Sequence, residues 1–283
     1  MGYIIILFLV LAAGILFESW RENRIFKVKR YCISTSDKSE KREKLKIVFL
    51  SDLHDHVYGD ENDILYEAVR KESPDLILIG GDMLIGKHHV AFDSALKFCS
   101  KLPNIAPVYY AMGNHEQRMK TYPKRYGDAI ERYIQSLRNA GVHILDNDST
   151  EFEFSDHMIR ITGVDLPIES YKHHDKIGKT YIETFVGEAS KEAFQILLAH
   201  DPGHFVGYKE WGADLVLSGH LHGGVARIPG WRGVITPHLR LFPKYSGEMT
   251  TEGEHTIIVS KGLGTHTIKF RFFNYPEIVV VEV

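Results

Sequence analysis

Five short blocks of this chain carry side chains able to bind metal ions or move protons. They are Ser51-Asp52-Leu53-His54, Gly80-Gly81-Asp82, Gly113-Asn114-His115-Glu116, Leu198-Ala199-His200-Asp201-Pro202 and Gly219-His220-Leu221-His222. Their candidate metal ligands are Asp52, His54, Asp82, Asn114, His200, His220 and His222. Carboxylate and amide oxygens mixed with imidazole nitrogens suit Mn, Fe, Zn or Co, and the set is large enough for two divalent ions sharing one carboxylate. A dinuclear centre points to metal-assisted hydrolysis, most often at phosphorus. Each block is weak alone: Asp-x-His pairs recur by chance, an Asp after two glycines also caps helices, and Asn marks turns. Their order and placement raise them above chance.

Each block follows a short apolar run, at 46–50, 75–79, 108–112, 195–199 and 214–218. Continuous β-rich runs of this kind read as strands buried on both faces. In α/β folds, sites collect beyond the carboxyl ends of such strands. Helical spacing lies between the runs, as in Ile64, Leu65, Ala68 and Val69, and in Ile130, Ile134 and Leu137. Segments 152–164 and 255–283 alternate like antiparallel strands. Two loop-rich stretches, 167–187 and 223–247, are expected near the site, since long loops are usually functional.

The N-terminal stretch differs in kind. Tyr3 to Phe17 is almost purely apolar. As a helix, residues 1–20 measure about 30 Å at 1.5 Å per residue, enough to span a bilayer, with Tyr3 and Trp20 at interfacial positions. No basic residue precedes the run, which favours an uncleaved anchor over a signal peptide. Arg21, Arg24, Lys27, Lys29 and Arg30 follow it, and the positive-inside rule then puts the catalytic domain in the cytoplasm. The expected organisation is a single-pass membrane anchor (1–20), a basic juxtamembrane segment and linker (21–44) and a catalytic domain (45–283). A formal net charge of −3 over 283 residues argues against a dedicated nucleic-acid binder. Cys32 and Cys99 make neither a disulfide framework nor a zinc pattern.

As an ordered set, the blocks resemble the pattern of the calcineurin-like metallophosphoesterases: Asp-x-His, Gly-Asp, Gly-Asn-His-Glu or -Asp, a later His, and Gly-His-x-His. The resemblance covers residues 45–283, and every ligand position is present. It implies an α/β fold, a four-layer αββα sandwich of two mixed sheets flanked by helices, here behind an N-terminal transmembrane helix. It puts Asp52, His54 and His222 on one ion, Asn114, His200 and His220 on the other, and Asp82 between them. It makes His115 the catalytic residue, facing the phosphoryl group to protonate the leaving oxygen or stabilise charge there. Glu116 reads as a brace for His115 or a neighbouring loop.

One departure touches substrate rather than chemistry. Many relatives carry Gly-Gly-Gln after the last His-x-His, where this chain has Gly223-Gly224-Val225. The stretches 225–229 and 241–245 look like the membrane-anchored branch of the family, some of whose members hydrolyse UDP-2,3-diacylglucosamine at its pyrophosphate. On that resemblance Arg227 and Lys244 are candidates for meeting a second phosphate or an anionic headgroup. Trp231, Leu239, Leu241 and Phe242 would line an apolar loop or simply pack it.

The expected function is hydrolysis of a phosphodiester or pyrophosphate bond, on a phosphate-ester substrate that includes lipid-linked nucleotides among its candidates. A phosphoprotein or phosphomonoester phosphatase on the same scaffold is the first alternative, and the arginine pair that often grips a monoester is not evident here. A non-catalytic scaffold is the second, and it should show eroded ligands, of which there are none.

Overall fold

The apolar runs form strands in two six-stranded mixed sheets. The computed structural model describes residues 2–33, 43–87, 92–155, 157–171, 176–224, 226–228, 233–235, 241–265 and 269–283. The first sheet has the order β1 (Lys27–Cys32), β14 (Glu277–Glu282), β2 (Lys46–Leu50), β3 (Leu76–Ile79), β4 (Val108–Ala111) and β5 (Val142–Leu145). Strands β2 to β5 are parallel, β14 is antiparallel to β2, and β1 is parallel to β14. The second sheet has the order β12 (Met249–Glu252), β13 (His255–Val259), β9 (Leu215–Ser218), β8 (Phe194–Ala199), β7 (His157–Val164) and β6 (Asp148–Phe154). Its four inner strands are parallel and both edges are antiparallel. A short ribbon, β10 (Ala226–Arg227) with β11 (Gly233–Ile235), lies apart.

The sheets face each other across a dry layer in which Ile47, Phe49 and Leu78 of the first meet Ile161, Ile196, Leu198 and Leu217 of the second. Helices α2 (Asp63–Glu72), α3 (Asp93–Lys101) and α6 (Ala129–Asn139) cover the outer face of the first sheet, burying Leu65, Phe98, Ile130 and Leu137. Helices α7 (Lys179–Val186) and α8 (Phe205–Trp211) cover the second with Ile182, Phe205 and Trp211. Helices α4 (Asn114–Thr121) and α5 (Pro123–Tyr126) follow β4. The result is the expected αββα sandwich. Burying each large apolar side chain contributes about 1.5–3 kcal/mol relative to exposure, so strands covered on both faces are predominantly apolar along their length. The polar blocks begin at those ends.

Helix α1 (Gly2–Glu22) precedes the sandwich. Among the described residues it is the one helix long and apolar enough to cross a membrane, and its apolar side chains are nearly all exposed. Its buried residues are Ser19 and Glu22, in its last two turns.

One expectation needs correction. The 21–44 stretch is not all linker, because Lys27–Cys32 forms the edge strand β1. Val28 packs towards the helices and Tyr31 between the sheets, while Lys27, Lys29 and Arg30 stay exposed. Lysines on an edge strand discourage further pairing, and they disguised this strand as a basic tail. Segment 255–283 supplies strands with antiparallel neighbours as expected, β13 beside β12 and β14 beside β2, in different sheets. Likewise, 152–164 lies in a hairpin, β6 with β7. Trp231, Leu239 and Val225 lie outside the described residues.

Candidate metal centre

The ends of β2, β3, β4, β8 and β9 bring the five blocks to one end of the sandwich. The chain turns sharply at the 51–54, 80–82 and 219–222 blocks. Asp52, His54, Asp82, His220 and His222 all have left-handed backbones, with φ of 52°, 48°, 54°, 70° and 50°. This region disfavours residues other than glycine, and it persists where surrounding contacts over-determine it, which is typical of functional sites. Gly81, at φ 86°, permits a close approach: a Cβ there would sit 2.1 Å from the Gly113 nitrogen. That contact draws the β3 and β4 blocks together.

Three buried groups of ligand atoms result: Asp52, His54 and His222; Asp82, His200 and His220; and His54, Asp82 and His115. His54 Nε2 and His222 Nε2 are 3.1 Å apart, and His220 Nδ1 and Asn114 Oδ1 are 2.8 Å apart. Two ligands on one ion at 2.0–2.1 Å, set roughly at right angles, are about 3 Å apart. Both pairs have that spacing. Asp52 Oδ1 lies 3.5 Å from His222 Nε2 and 3.9 Å from His54 Nε2. Asp82 Oδ2 lies 3.2 Å from His200 Nε2 and 3.8 Å from His54 Nε2, so it faces both groups. The residues present therefore fit two divalent cations.

Hydrogen bonds fix which ring nitrogens face the cluster. A carbonyl oxygen only accepts, so His200 donates from Nδ1 to Gly80 O (2.6 Å) and His222 donates from Nδ1 to Gly264 O (3.0 Å). Their Nε2 atoms are left for ligation, the usual arrangement of metal-binding histidines. His115 is the reverse. Its Nδ1 accepts the Gly86 N–H at 2.8 Å, so the neutral ring carries its proton on Nε2, which points towards Asp82 Oδ2 at 3.9 Å. His115 thus presents a donor to the cluster.

Charge is concentrated and buried. Burial pushes the Asp52 carboxyl up to about 6, with His200 pulling against it and Asp82 adding to it. Burial also opposes ionisation of Asp82, yet the charge of His200 beside it holds that carboxyl well below the usual range. Burial works against a charged His200 too, but Asp82 and Asp52 push it up to about 10. Without a cation the site holds its own counter-ions as protons.

The carboxylate of Glu116 touches no ligand atom of the cluster. Its oxygens accept the backbone N–H groups of Asp82, Met83 and Gly113 and the hydroxyl of Tyr110, at 2.7–3.1 Å. It fixes the backbone that carries Asp82.

Other residues here gave no local signal. The Tyr171 ring lies 5.2 Å from that of His220, and its hydroxyl is buried with no hydrogen-bond partner among the described residues. Its loop, 167–187, reads from sequence as one near the site. Arg271 and Asn274, both buried, bond to backbone around His222. Arg227 pairs with Glu248 at 2.6 Å and donates to the carbonyls of Gly223 and Ser246, while Lys244 pairs with Glu252 at 2.7 Å. Both line a cleft of about 890 Å³ beside the base of α1. Leu241 and Phe242 are exposed.

An αββα sandwich with carboxylates and imidazoles converging at its strand ends defines a metal-dependent hydrolase of phosphoester bonds. The chain belongs to the calcineurin-like phosphoesterases, whose family model matches residues 45–224. It is 25% identical to the uncharacterized metallophosphoesterase YkoQ of Bacillus subtilis over 274 residues, 95% of this chain and 94% of that one. It is 26% identical to the phosphodiesterase YaeI of Escherichia coli over 243 residues, 84% of this chain and 81% of that one. A solved structure of the phosphopantetheinyl hydrolase of Mycobacterium tuberculosis covers 76% of this chain and 88% of its own at 14% identity and a TM-score of 0.46, too loose a likeness to carry an argument. Members of this family use divalent metal ions, and the clustered ligands provide for them.

Proposed function

We propose that this chain is a membrane-anchored two-metal phosphodiesterase or pyrophosphatase, with Asp52, His54 and His222 holding one ion, Asn114, His200 and His220 the other, and Asp82 both. The observation that carries this reading is Asp82 Oδ2, within 4 Å of imidazole nitrogens from both groups. Two divalent ions, when bound, supply Lewis acidity towards a phosphoryl oxygen and a nucleophile at neutral pH. His115 would direct its Nε2–H at the leaving oxygen and stabilise the charge that develops there, keeping its proton; Gly86 keeps that tautomer and Asp82 Oδ1 holds the His115 N–H at 2.8 Å. The name of the E. coli relative favours a diester over a monoester.

The finer reading is a lipid-linked substrate such as UDP-2,3-diacylglucosamine. Support comes from placement. The 269–275 turn leads into β14, which enters the first sheet beside the exit of β2, where Asp52 lies, and the same turn bonds to the base of α1. An apolar helix leaving from the metal end would present that end to a bilayer. The cleft beside it carries Lys27, Lys29, Arg227 and Lys244 together with Phe273, which suits a phosphate joined to an apolar chain. The cations after α1 favour a cytoplasmic catalytic domain.

The test is hydrolysis by the full chain in detergent with Mn²⁺, on bis(p-nitrophenyl) phosphate, p-nitrophenyl phosphate and a lipid-linked nucleotide diphosphate. EDTA-sensitive cleavage of the diester or pyrophosphate in excess of the monoester is expected. Monoester preference would transfer the reading to a phosphatase.

A further inference from the structure

Only two residues of α1 are buried, and both are polar. Ser19 Oγ accepts the N–H of Arg271 at 3.0 Å, and Glu22 Oε2 accepts the N–H of Asn274 at 2.9 Å, each 252 positions away in sequence. Arg21, the penultimate residue of α1, donates to the Tyr275 hydroxyl. The 271–275 turn is thus clasped from three positions of the helix.

The same turn grips the last ligand block. Asn274 Nδ2 donates to the carbonyls of His222 (2.7 Å) and Gly224 (2.6 Å). Arg271, 1% exposed, donates to the carbonyls of Lys261 (2.8 Å) and Gly264 (2.9 Å). Gly264 O is the acceptor that orients the His222 imidazole. Both the backbone and the ring of His222 are therefore held by groups that α1 holds in turn. His222 needs such support, since its backbone is left-handed and belongs to no helix or strand.

A helix serving only as a tether has no use for a buried carboxylate, which is costly to desolvate unless hydrogen-bonded. We propose that the last turns of α1 are a positioning element of the metal centre: Ser19 and Glu22 fix the 271–274 turn, and Asn274 and Arg271 thereby fix His222. Glu22, Arg271 and Asn274 are positioning residues that touch neither substrate nor metal. The orientation of His222 then depends on an intact α1, and disturbing the helix base disturbs one ion more than the other.

The test uses full-length protein in detergent, with Glu22→Ala, Glu22→Gln, Ser19→Ala and Asn274→Asp. Asn274→Asp keeps the shape and removes both donors; Glu22→Gln keeps an acceptor for the Asn274 N–H. Amide exchange of residues 219–224 is read in metal-free protein, so it does not depend on the two-metal reading. Mn²⁺ affinity is read separately by titration, and absence of metal from the wild type would count against the two-metal reading alone. Faster exchange at 219–224 in Glu22→Ala and Asn274→Asp is expected, with one of two ions bound about 10–100-fold more weakly, as for other residues that orient ligands. Glu22→Gln should restore both readouts. If Glu22→Ala does not fold, Ser19→Ala, which deletes one hydroxyl, carries the comparison. Wild-type exchange at 219–224 in the folded Ala and Asp variants would overturn the proposal.

Discussion

Glu116 holds Asp82 by its backbone: Oε2 accepts the Asp82 N–H at 2.9 Å while the Asp82 side chain faces the histidines. The same carboxylate accepts from Met83, Gly113 and Tyr110, so each oxygen takes two donors. Glu116→Gln replaces one oxygen with an NH₂ group that faces a backbone N–H whichever way the amide turns. An unsatisfied buried donor costs about 1–3 kcal/mol. A lowered melting temperature is expected, together with weaker metal binding in titrations, although Glu116 ligates nothing.

His115 offers Nε2–H because Gly86 donates to Nδ1. His115→Asn should lower kcat by about 10²–10³ for a poor leaving group and less for p-nitrophenolate, whose charge needs little stabilisation. Metal content should stay at the wild-type level, since His115 is not among the proposed ligands. Steady-state kinetics across leaving groups of graded pKa, with metal analysis of the same samples, check both.

In the metal-free chain Asp82 and Asp52 push His200 up to about 10 despite its burial. A cation must displace that proton. The protonated form dominates below about pH 10, so metal binding tightens as pH rises, by up to about tenfold per unit for each proton released per ion. Mn²⁺ titrations at pH 6, 7 and 8 should show this trend, with acidification of weakly buffered solution on metal addition. A pH-independent affinity would contradict it.

Ser73 closes α2 with φ 46° and is exposed. Glycine takes this conformation without strain. Ser73→Gly should raise stability by about 0.5–1 kcal/mol, read by denaturant unfolding, and leave activity unchanged because Ser73 precedes β3, at the opposite end of that strand from Asp82.

The strands beneath the site were legible because each is a continuous apolar run that ends at a polar block, as at Leu50 before Asp52 and Ile79 before Asp82. The ligand types were legible because metal chemistry restricts them. The left-handed backbones of Asp52 and His222 were not, since they result from tertiary contacts. Strand β1 was hidden by lysines that its edge position tolerates. Asn274 looks like any turn residue, and its role depends on two partners, Glu22 and His222, each more than 50 residues away. Pairings of that length leave no local pattern.

The central claim is two ions joined by Asp82. Its most direct measurement is elemental analysis of full-length protein equilibrated with Mn²⁺ and desalted, for the wild type and Asp82→Ala. Two ions per chain in the wild type and no more than one in the variant are expected, with metal-dependent diester hydrolysis lost alongside. A folded wild type that holds no stoichiometric metal, or an Asp82→Ala variant that retains two ions, would contradict it.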